Sequence, residues 1–325
     1  MENKLEINQG KEEQKKKIEY KYLFNLYPNE KGPDYELIKI IEEILLVFEG
    51  NFSLDNIVGL DNIKNYIQDE IIKSLSNLDK ITNEKIKDVL LYGAPGTGKT
   101  FLVKSLSKHK NITFLNFHPA NLISQLNKEK EKIIKIIFDI AKFYSPSILF
   151  IDEIDILYYN GEDKVNIELL NQIENISSNN HNNGIKNIII IAATNRPWKL
   201  NDKILKKFQK KIYVPLLKEI ERKKLFEIFF ENSHLDKDIN FDEIDKLTEG
   251  FTGADIYEIY QDATYEPIRK KLKEDKEFFS KEYSKNIELI INNEDIIKAI
   301  KNKNKSIRKE ELDQFKNFKK EYEEY

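Results

Sequence analysis

Short apolar runs separated by longer helical stretches characterise the middle of the chain. The runs with the pattern of buried strands are Val89–Gly93, Ile112–Phe117, Ser147–Ile151, Ile188–Ala193 and Ile212–Leu216. Their hydrophobicity is nearly continuous, which is typical of parallel strands covered by helices on both faces. The pattern therefore predicts an α/β domain built on a five-stranded parallel sheet.

Helical periodicity flanks the predicted sheet on both sides. From Tyr35 onward, apolar residues recur three and four positions apart on one face of a helix. Beyond Leu216 no strong strand pattern remains. Thr252 and Asp255 have the spacing of a capping box at the start of a later helix. These signals predict a small helical domain after the sheet.

Three segments follow from the pattern. Residues 1–34 are charged and weakly patterned, and Pro33 marks a boundary, so we expect a flexible N-terminal extension there. The α/β domain is expected over residues 35–216, and the helical lid domain over residues 217–325.

Composition narrows the classes of function. Of the 325 residues 34% are charged, but the formal net charge is only −3, which argues against a nucleic-acid-binding protein. The chain has no cysteine and hence no disulfide or thiolate metal site. The histidines have no metal-ligand spacing and are expected to be structural or on the surface; they are His109, His118, His181 and His234.

No apolar run approaches the roughly 20 residues that span a bilayer, and no signal-peptide core is seen at the N-terminus. We therefore expect a soluble intracellular protein without a membrane span, in the cytoplasm or alternatively in the nucleus.

The stretch GAPGTGKT has the spacing of a phosphate-binding P-loop, and it lies between a predicted strand and a predicted helix. Its backbone N–H groups would surround phosphate oxygens, Lys99 would contact the β- and γ-phosphates, and the Thr100 hydroxyl would bind Mg²⁺. The alternative is a glycine-rich turn without a ligand. The predicted nucleotide-binding residues of this segment are Gly93, Ala94, Pro95, Gly96, Thr97, Gly98, Lys99, Thr100 and Phe101.

Polar side chains follow two further predicted strands. Asp152 and Glu153 end the run ILFIDE, where Asp152 would hold Mg²⁺ through water and Glu153 would act as general base. Asn195 follows another strand and would contact the γ-phosphate and orient the attacking water. Catalytic roles are therefore predicted for Lys99, Glu153 and Asn195.

Together these motifs resemble the AAA ATPases, from about Tyr35 to the C-terminus. NIVGLDNIKNYIQDEI is similar to the family's segment before the first strand, which implies that Ile57 and Gly59 lie near the adenine. GFTGADIYEIYQDA is similar to its helical-lid motif, which implies that Gly253 and Ala254 lie near the nucleotide. Within the family, the C-terminal segments look most like the group of katanin, spastin, fidgetin and the vacuolar-sorting ATPase.

The lysine-rich stretch Asp202–Pro215 departs from the family pattern. Where the family has two arginines that reach a neighbouring subunit's γ-phosphate, this chain has Lys206 and Lys207. Arginine presents a planar, delocalised fork, whereas lysine is a compact, strongly hydrated charge. Compositional drift from arginine to lysine and a loss of trans-acting catalysis both account for the substitution.

A second departure concerns the family's central-pore loop. Its aromatic residue corresponds here to Leu126, which lacks the flat face that packs against any side chain of a threaded peptide.

The resemblance implies an ATPase that uses ATP and Mg²⁺ and remodels a protein polymer or complex as a ring, expected to be a hexamer. The alternative is a nucleotide-binding regulatory or structural subunit with vestigial hydrolysis. The intact Lys99, Asp152, Glu153 and Asn195 favour the enzyme. The lysines at the arginine positions and Leu126 favour the subunit.

Overall fold

The computed structural model describes residues 20–29, 31–46, 53–76, 87–109, 111–120, 130–158, 163–179, 188–274 and 289–323. The strands are β1 (Val89–Tyr92), β2 (Thr113–Phe117), β3 (Ser147–Ile151), β4 (Ile188–Thr194) and β5 (Lys210–Tyr213). The helices before β3 are α1 (Lys21–Leu26), α2 (Tyr35–Leu46), α3 (Asp61–Tyr66), a π-helical segment (Ile67–Ile72), α4 (Lys73–Ser76), α5 (Lys99–Lys104) and α6 (Lys130–Phe143). After β3 follow α7 (Asp163–Asn179), α8 (Asp202–Leu205), α9 (Glu219–Phe230), α10 (Phe241–Leu247), α11 (Gly253–Glu274), α12 (Asn293–Asn302) and α13 (Lys309–Glu323).

The five strands form one parallel sheet in the order β2-β3-β4-β1-β5, which confirms the predicted fold class. β5 begins two residues earlier than predicted, because the edge position beside β1 accepts Lys210 and Lys211 in the ladder. The ladder ends near Pro215, which has no N–H to donate.

Helices cover both faces of the sheet. Along β1, Leu90 and Tyr92 pack with α2, α6 and α7, while Val89 and Leu91 pack with the π-helical segment, α4 and α5. β4 alternates in the same way and is buried along its whole length. Because both faces are buried, these strands lack the alternation of apolar and polar residues that marks a strand with one exposed face.

The lid has a hydrophobic core of its own. Helices α9 to α12 enclose it with side chains such as Phe226, Phe230, Ile256 and Ile259. This is the small helical domain that the sequence predicts.

Helix α13 packs on the α/β domain rather than on the lid. Phe318 lies 4.9 Å from Tyr92 between ring centroids, and Phe315 lies 5.0 Å from Trp198. Phe315 and Phe318 are both buried in the core beneath the sheet. The predicted lid segment 217–325 therefore contains a helix that returns to the large domain, which local periodicity does not reveal.

Residues 20–29 also differ from the prediction of a flexible extension. Leu23 of α1 is completely buried against the core of the α/β domain. The buried Glu42 of α2 accepts the backbone N–H groups of Tyr22 and Leu23, each at 3.0 Å, and the Tyr144 hydroxyl at 2.5 Å. A carboxylate from another helix thus caps the N-terminus of α1.

None of the helices in the described ranges is both long and apolar enough to cross a membrane.

We expect Glu42→Ala to lower the free energy of unfolding by about 2–4 kcal/mol, because it leaves three donors without their acceptor in a buried place. Hydrogen exchange measured by mass spectrometry should show loss of protection at Tyr22 and Leu23. Glu36→Ala, an exposed position of the same helix, is the control and should change stability by less than about 1 kcal/mol. Equal protection of α1 in both variants would contradict the capping role.

Candidate active site

The P-loop connects the end of β1 to the start of α5, as predicted. Gly96 and Gly98 adopt left-handed backbone conformations, with φ of 75° and 94°. A Cβ on Gly96 would also lie 2.7 Å from the Thr252 hydroxyl, so both backbone and space require glycine there. The loop therefore turns tightly beneath the lid.

Lys99 is buried within this loop. Its Nζ donates to the backbone carbonyls of Gly93 at 2.8 Å and Ala94 at 2.7 Å. Burial lowers the pKa of Lys99 to about 8, although the nearby Asp152, Asp155 and Glu153 act in the opposite direction. The ammonium group is thus held by carbonyls in a place where an anionic ligand would stabilise its charged form.

Thr100 and Asp152 join the P-loop helix to the end of β3. The Thr100 hydroxyl lies 2.9 Å and 3.1 Å from the two carboxylate oxygens of Asp152. A hydroxyl and a carboxylate are hard oxygen ligands of the kind that Mg²⁺ takes together with substrate phosphates and water. These two residues fit Mg²⁺.

Glu153 occupies a strained position directly after Asp152. Its φ is 53°, and its side chain is 41% exposed toward the cavity. The carboxylate lies 3.4 Å from Nε2 of His118, whose Nδ1 is buried without a hydrogen-bond partner among the described residues. His118 was expected to be structural or on the surface, and the structure instead places it beside the predicted base. Its position directly after β2 is the signal that could have identified it.

Asn195 follows β4 and lines the same cavity. The preceding Thr194 donates to Asp155 at 2.7 Å and accepts the Arg196 backbone N–H at 2.9 Å. This buried network fixes the chain as it leaves the strand, so the side chain of Asn195 is presented at a defined point of the rim.

These residues surround a cavity of about 520 Å³ between the α/β domain and the lid. One wall is apolar and unites the segment before α3 with the lid; its residues are Ile57, Val58, Leu60, Leu217, Leu225 and Phe229. The opposite wall consists of the P-loop from Pro95 to Phe101 and the rim residues Asp152, Glu153 and Asn195. The volume and the mixed lining suit a ligand with an apolar ring and an anionic chain.

The predicted site residues mostly converge here. Ile57, Gly253 and Ala254 line the cavity, whereas Gly59, Gly93 and Ala94 are not among its described lining residues. Gly59 instead packs against the lid helix α9: a Cβ there would lie 2.2 Å from the Glu221 carboxylate. The apolar side chains Leu217, Leu225 and Phe229 were not predicted, since they belong to the lid and only its packing brings them to the cavity.

The two lysines at the arginine positions lie elsewhere. Lys206 and Lys207 follow α8, and neither is among the described residues that line the cavity. Lys206 is exposed, while the Nζ of Lys207 lies 2.5 Å from the Glu174 carboxylate on α7. Leu126, the predicted pore-loop residue, lies outside the described residues.

Two family models match the chain. Residues 89–216 match the ATPase family associated with various cellular activities (AAA), and residues 238–280 match the AAA+ lid domain.

Similar proteins were found among curated sequences. The A1 form of the katanin p60 ATPase-containing protein of Arabidopsis thaliana is 31% identical over 253 residues, covering 74% of this chain and 48% of that protein. The A-like 1 form of the katanin p60 ATPase-containing protein of Rattus norvegicus is 31% identical over 252 residues, covering 74% and 52%. The chain thus spans about half the length of these relatives.

Solved structures agree with the same grouping. The FIGL-1 AAA domain in complex with ADP superimposes with a TM-score of 0.77 at 25% identity, over 90% of this chain and 98% of that chain. A structure described as the structural basis for katanin self-assembly superimposes with a TM-score of 0.72 at 27% identity, over 87% and 96%. The chain therefore belongs to the AAA ATPase family, and its domains are homologous to those of katanin p60 and FIGL-1.

Proposed function

We propose that this protein binds ATP with Mg²⁺, hydrolyses it, and uses the cycle as a ring oligomer, on the family pattern a hexamer, to remodel a protein polymer or complex. The observation that carries the proposal is the convergence of Lys99, Thr100, Asp152, Glu153 and Asn195 on one rim of a cavity closed by the lid. These side chains come from the ends of two strands, β3 and β4, and from the start of helix α5, and their common location suits phosphate chemistry.

Each of these residues has a separate role in nucleotide binding or hydrolysis. Lys99 exchanges its two carbonyl acceptors for β- and γ-phosphate oxygens, and the backbone N–H groups of the P-loop surround the same phosphates. Thr100 and Asp152 would hold Mg²⁺, which when bound would neutralise charge on the phosphate oxygens. Glu153 accepts a proton from the attacking water, and Asn195 orients that water.

The apolar wall of the cavity is the proposed site of the adenine ring, as the P-loop is that of the phosphates. Leu217, Leu225 and Phe229 of the lid line this wall together with Ile57 and Val58 of the large domain. An adenine ring bound there buries apolar surface of both domains, so nucleotide binding joins the two domains.

The lid also contacts the P-loop directly. The backbone N–H of Ala254 donates to the carbonyl of Gly96 at 3.2 Å. A change in the P-loop on binding or hydrolysis is therefore transmitted to the first turn of α11. This contact supports coupling of the nucleotide state to lid position, as remodelling by a ring requires.

The second candidate is a nucleotide-binding subunit with vestigial hydrolysis. It is favoured by Lys207, which pairs with Glu174 of its own chain instead of remaining available to a neighbour. Lys206 is exposed and is the better candidate for acting in trans. Both candidates share nucleotide binding, and they differ in turnover and in its dependence on assembly.

We expect Lys99→Ala to raise the dissociation constant for MgADP at least about 100-fold, since a buried charge-assisted contact to phosphate is lost. Isothermal titration calorimetry measures the constant directly. Lys108→Ala, which removes an exposed lysine after α5, is the control and should bind as wild type. Equal affinities of wild type and Lys99→Ala would refute nucleotide binding at this loop.

Glu153→Gln should retain nucleotide binding and lower ATP turnover by at least about 100-fold, because the amide keeps the shape but accepts no proton. If a ring forms, the variant should also accumulate larger oligomers with ATP, measured by light scattering. Glu131→Gln, on the exposed side of α6, is the control. Wild-type turnover in Glu153→Gln would mean that another group is the base.

We expect the double variant Lys206→Arg/Lys207→Arg to raise turnover several-fold at high protein concentration and to leave it unchanged at low concentration, where monomers dominate. The reason is that arginine stabilises spread-out charge on a neighbour's phosphate better than lysine does. Wild type should show only a weak dependence of specific activity on concentration.

Lys203→Arg, on the short helix α8 that precedes the two lysines, is the matched control for the added guanidinium. Steep activation of wild type with concentration would show that the lysines already work. A flat response of the double variant, with rings visible by light scattering, would remove Lys206 and Lys207 from the reaction.

A further inference from the structure

The segment 303–308 joins the lid to the helix that returns to the α/β domain; it is called the connector below. It begins after α12 and leads into α13. Ser306, in its middle, is exposed, while the next residue, Ile307, is buried in the core that also holds Phe315. The connector therefore links the two domains at a place accessible to solvent.

Ser306 is bonded to a completely buried carboxylate. Its hydroxyl donates to Oδ1 of Asp255, and its backbone N–H points to Oδ2 of the same residue. Asp255 also accepts the backbone N–H of Thr252 at 2.9 Å and its hydroxyl at 3.0 Å. These bonds close the first turn of α11, so the serine hydroxyl completes the cap of the helix.

The first turn of α11 also contacts the P-loop. Ala254 donates to Gly96 at 3.2 Å, and the Thr252 hydroxyl limits the space beside Gly96. A continuous series of contacts therefore connects the P-loop to Ser306 through residues 252–255. The series is short, since Ser306 bonds directly to a residue of the turn that carries the lid's nucleotide contacts.

We propose that Ser306 is a phosphorylation site, and that its phosphate separates the lid from the P-loop and weakens nucleotide binding. The proposal rests on the proposed nucleotide-binding function. In the modification, a protein kinase transfers the γ-phosphoryl group of ATP: the bond from Ser306 Oγ to phosphorus forms, and the bond from phosphorus to the β–γ bridging oxygen breaks. The serine proton passes to the base of the kinase, and ADP leaves.

The sequence around Ser306 suits kinases that select basic residues. Lys303 and Lys305 precede the serine, and Arg308 and Lys309 follow it. These cations would contact an acidic substrate groove. The connector has no regular secondary structure at residues 303–305, so an extended conformation in such a groove costs little ordered structure.

Phosphorylation reverses the role of the side chain at this position. The hydroxyl donates a hydrogen to Asp255, whereas a phosphoserine carries about −1.5 to −2 charges and only acceptor oxygens. The buried Asp255 carboxylate then faces a second anion and loses a donor. Lys303, whose Nζ lies 3.4 Å from Asp255 and also pairs with Glu258, is a cation toward which the phosphate would turn. The cap of α11 is thereby weakened beside Ala254.

The experiment installs phosphoserine at position 306 during translation and measures MgADP affinity by calorimetry. We expect the dissociation constant to rise about tenfold or more relative to wild type, because a buried charged hydrogen bond is lost and a repulsion is added. Ser306→Thr keeps the hydroxyl and should bind as wild type. Ser306→Ala loses the bond without the repulsion and should fall between the two.

Phosphoserine at position 304, in place of the exposed Asn304, is the matched control: it adds the same charge two residues away. Phosphatase treatment should restore the affinity of the protein phosphorylated at 306, which separates regulation from misfolding. In a parallel arm, a kinase with a basic consensus and ATP should phosphorylate wild type at Ser306, mapped by mass spectrometry.

The outcomes are distinct. If wild type does not bind MgADP, the proposed function fails and this inference falls with it. If wild type binds, three results each overturn the inference: unchanged affinity with phosphoserine at 306, an equal loss with phosphoserine at 304, or a loss that phosphatase does not reverse. Absence of phosphate on Ser306 after kinase treatment overturns its assignment as a modification site.

Discussion

The parallel pairing of β3 with β4 and of β4 with β1 determines where every residue of the candidate site lies. Because the three strands run in one direction and are in register, the chain leaves all of them at the same edge. The P-loop, the Asp152–Glu153 pair and Asn195 are thereby brought to one rim, although roughly a hundred positions separate the first from the last. The sheet can hold them rigidly because helices bury both of its faces.

Two lysines, Lys99 at this rim and Lys207 beyond it, differ in the groups that hold their charge. Burial lowers the pKa of Lys99 to about 8, while the carboxylates near it favour the charged form, and its hydrogen bonds go to backbone carbonyls. The opposite case is Lys207, whose charge is engaged by Glu174 of its own chain. Lys99 is thus suited to an anionic ligand, whereas Lys207 would have to leave Glu174 before it could contact a neighbouring chain.

The sequence by itself determined the fold class and predicted most of the side chains that meet at the cavity, because those signals are local. Glycines in left-handed conformations, a lysine and a threonine at fixed spacing, and apolar runs of strand length each identify their element without knowledge of the rest. The capping box of Thr252 and Asp255 is local in the same sense, and the structure contains it as predicted.

Only the tertiary structure decided the contacts between distant segments. The sequence pattern predicts helices after the sheet but a flexible extension at residues 1–34, and the buried Glu42 and the aromatic cluster around Tyr92 decide where α1 and α13 pack. The contacts of His118 with Glu153, of Lys207 with Glu174 and of Ser306 with Asp255 likewise join residues 33 to 51 positions apart. Each depends on side-chain directions that follow from packing, and packing is a property of the whole folded chain.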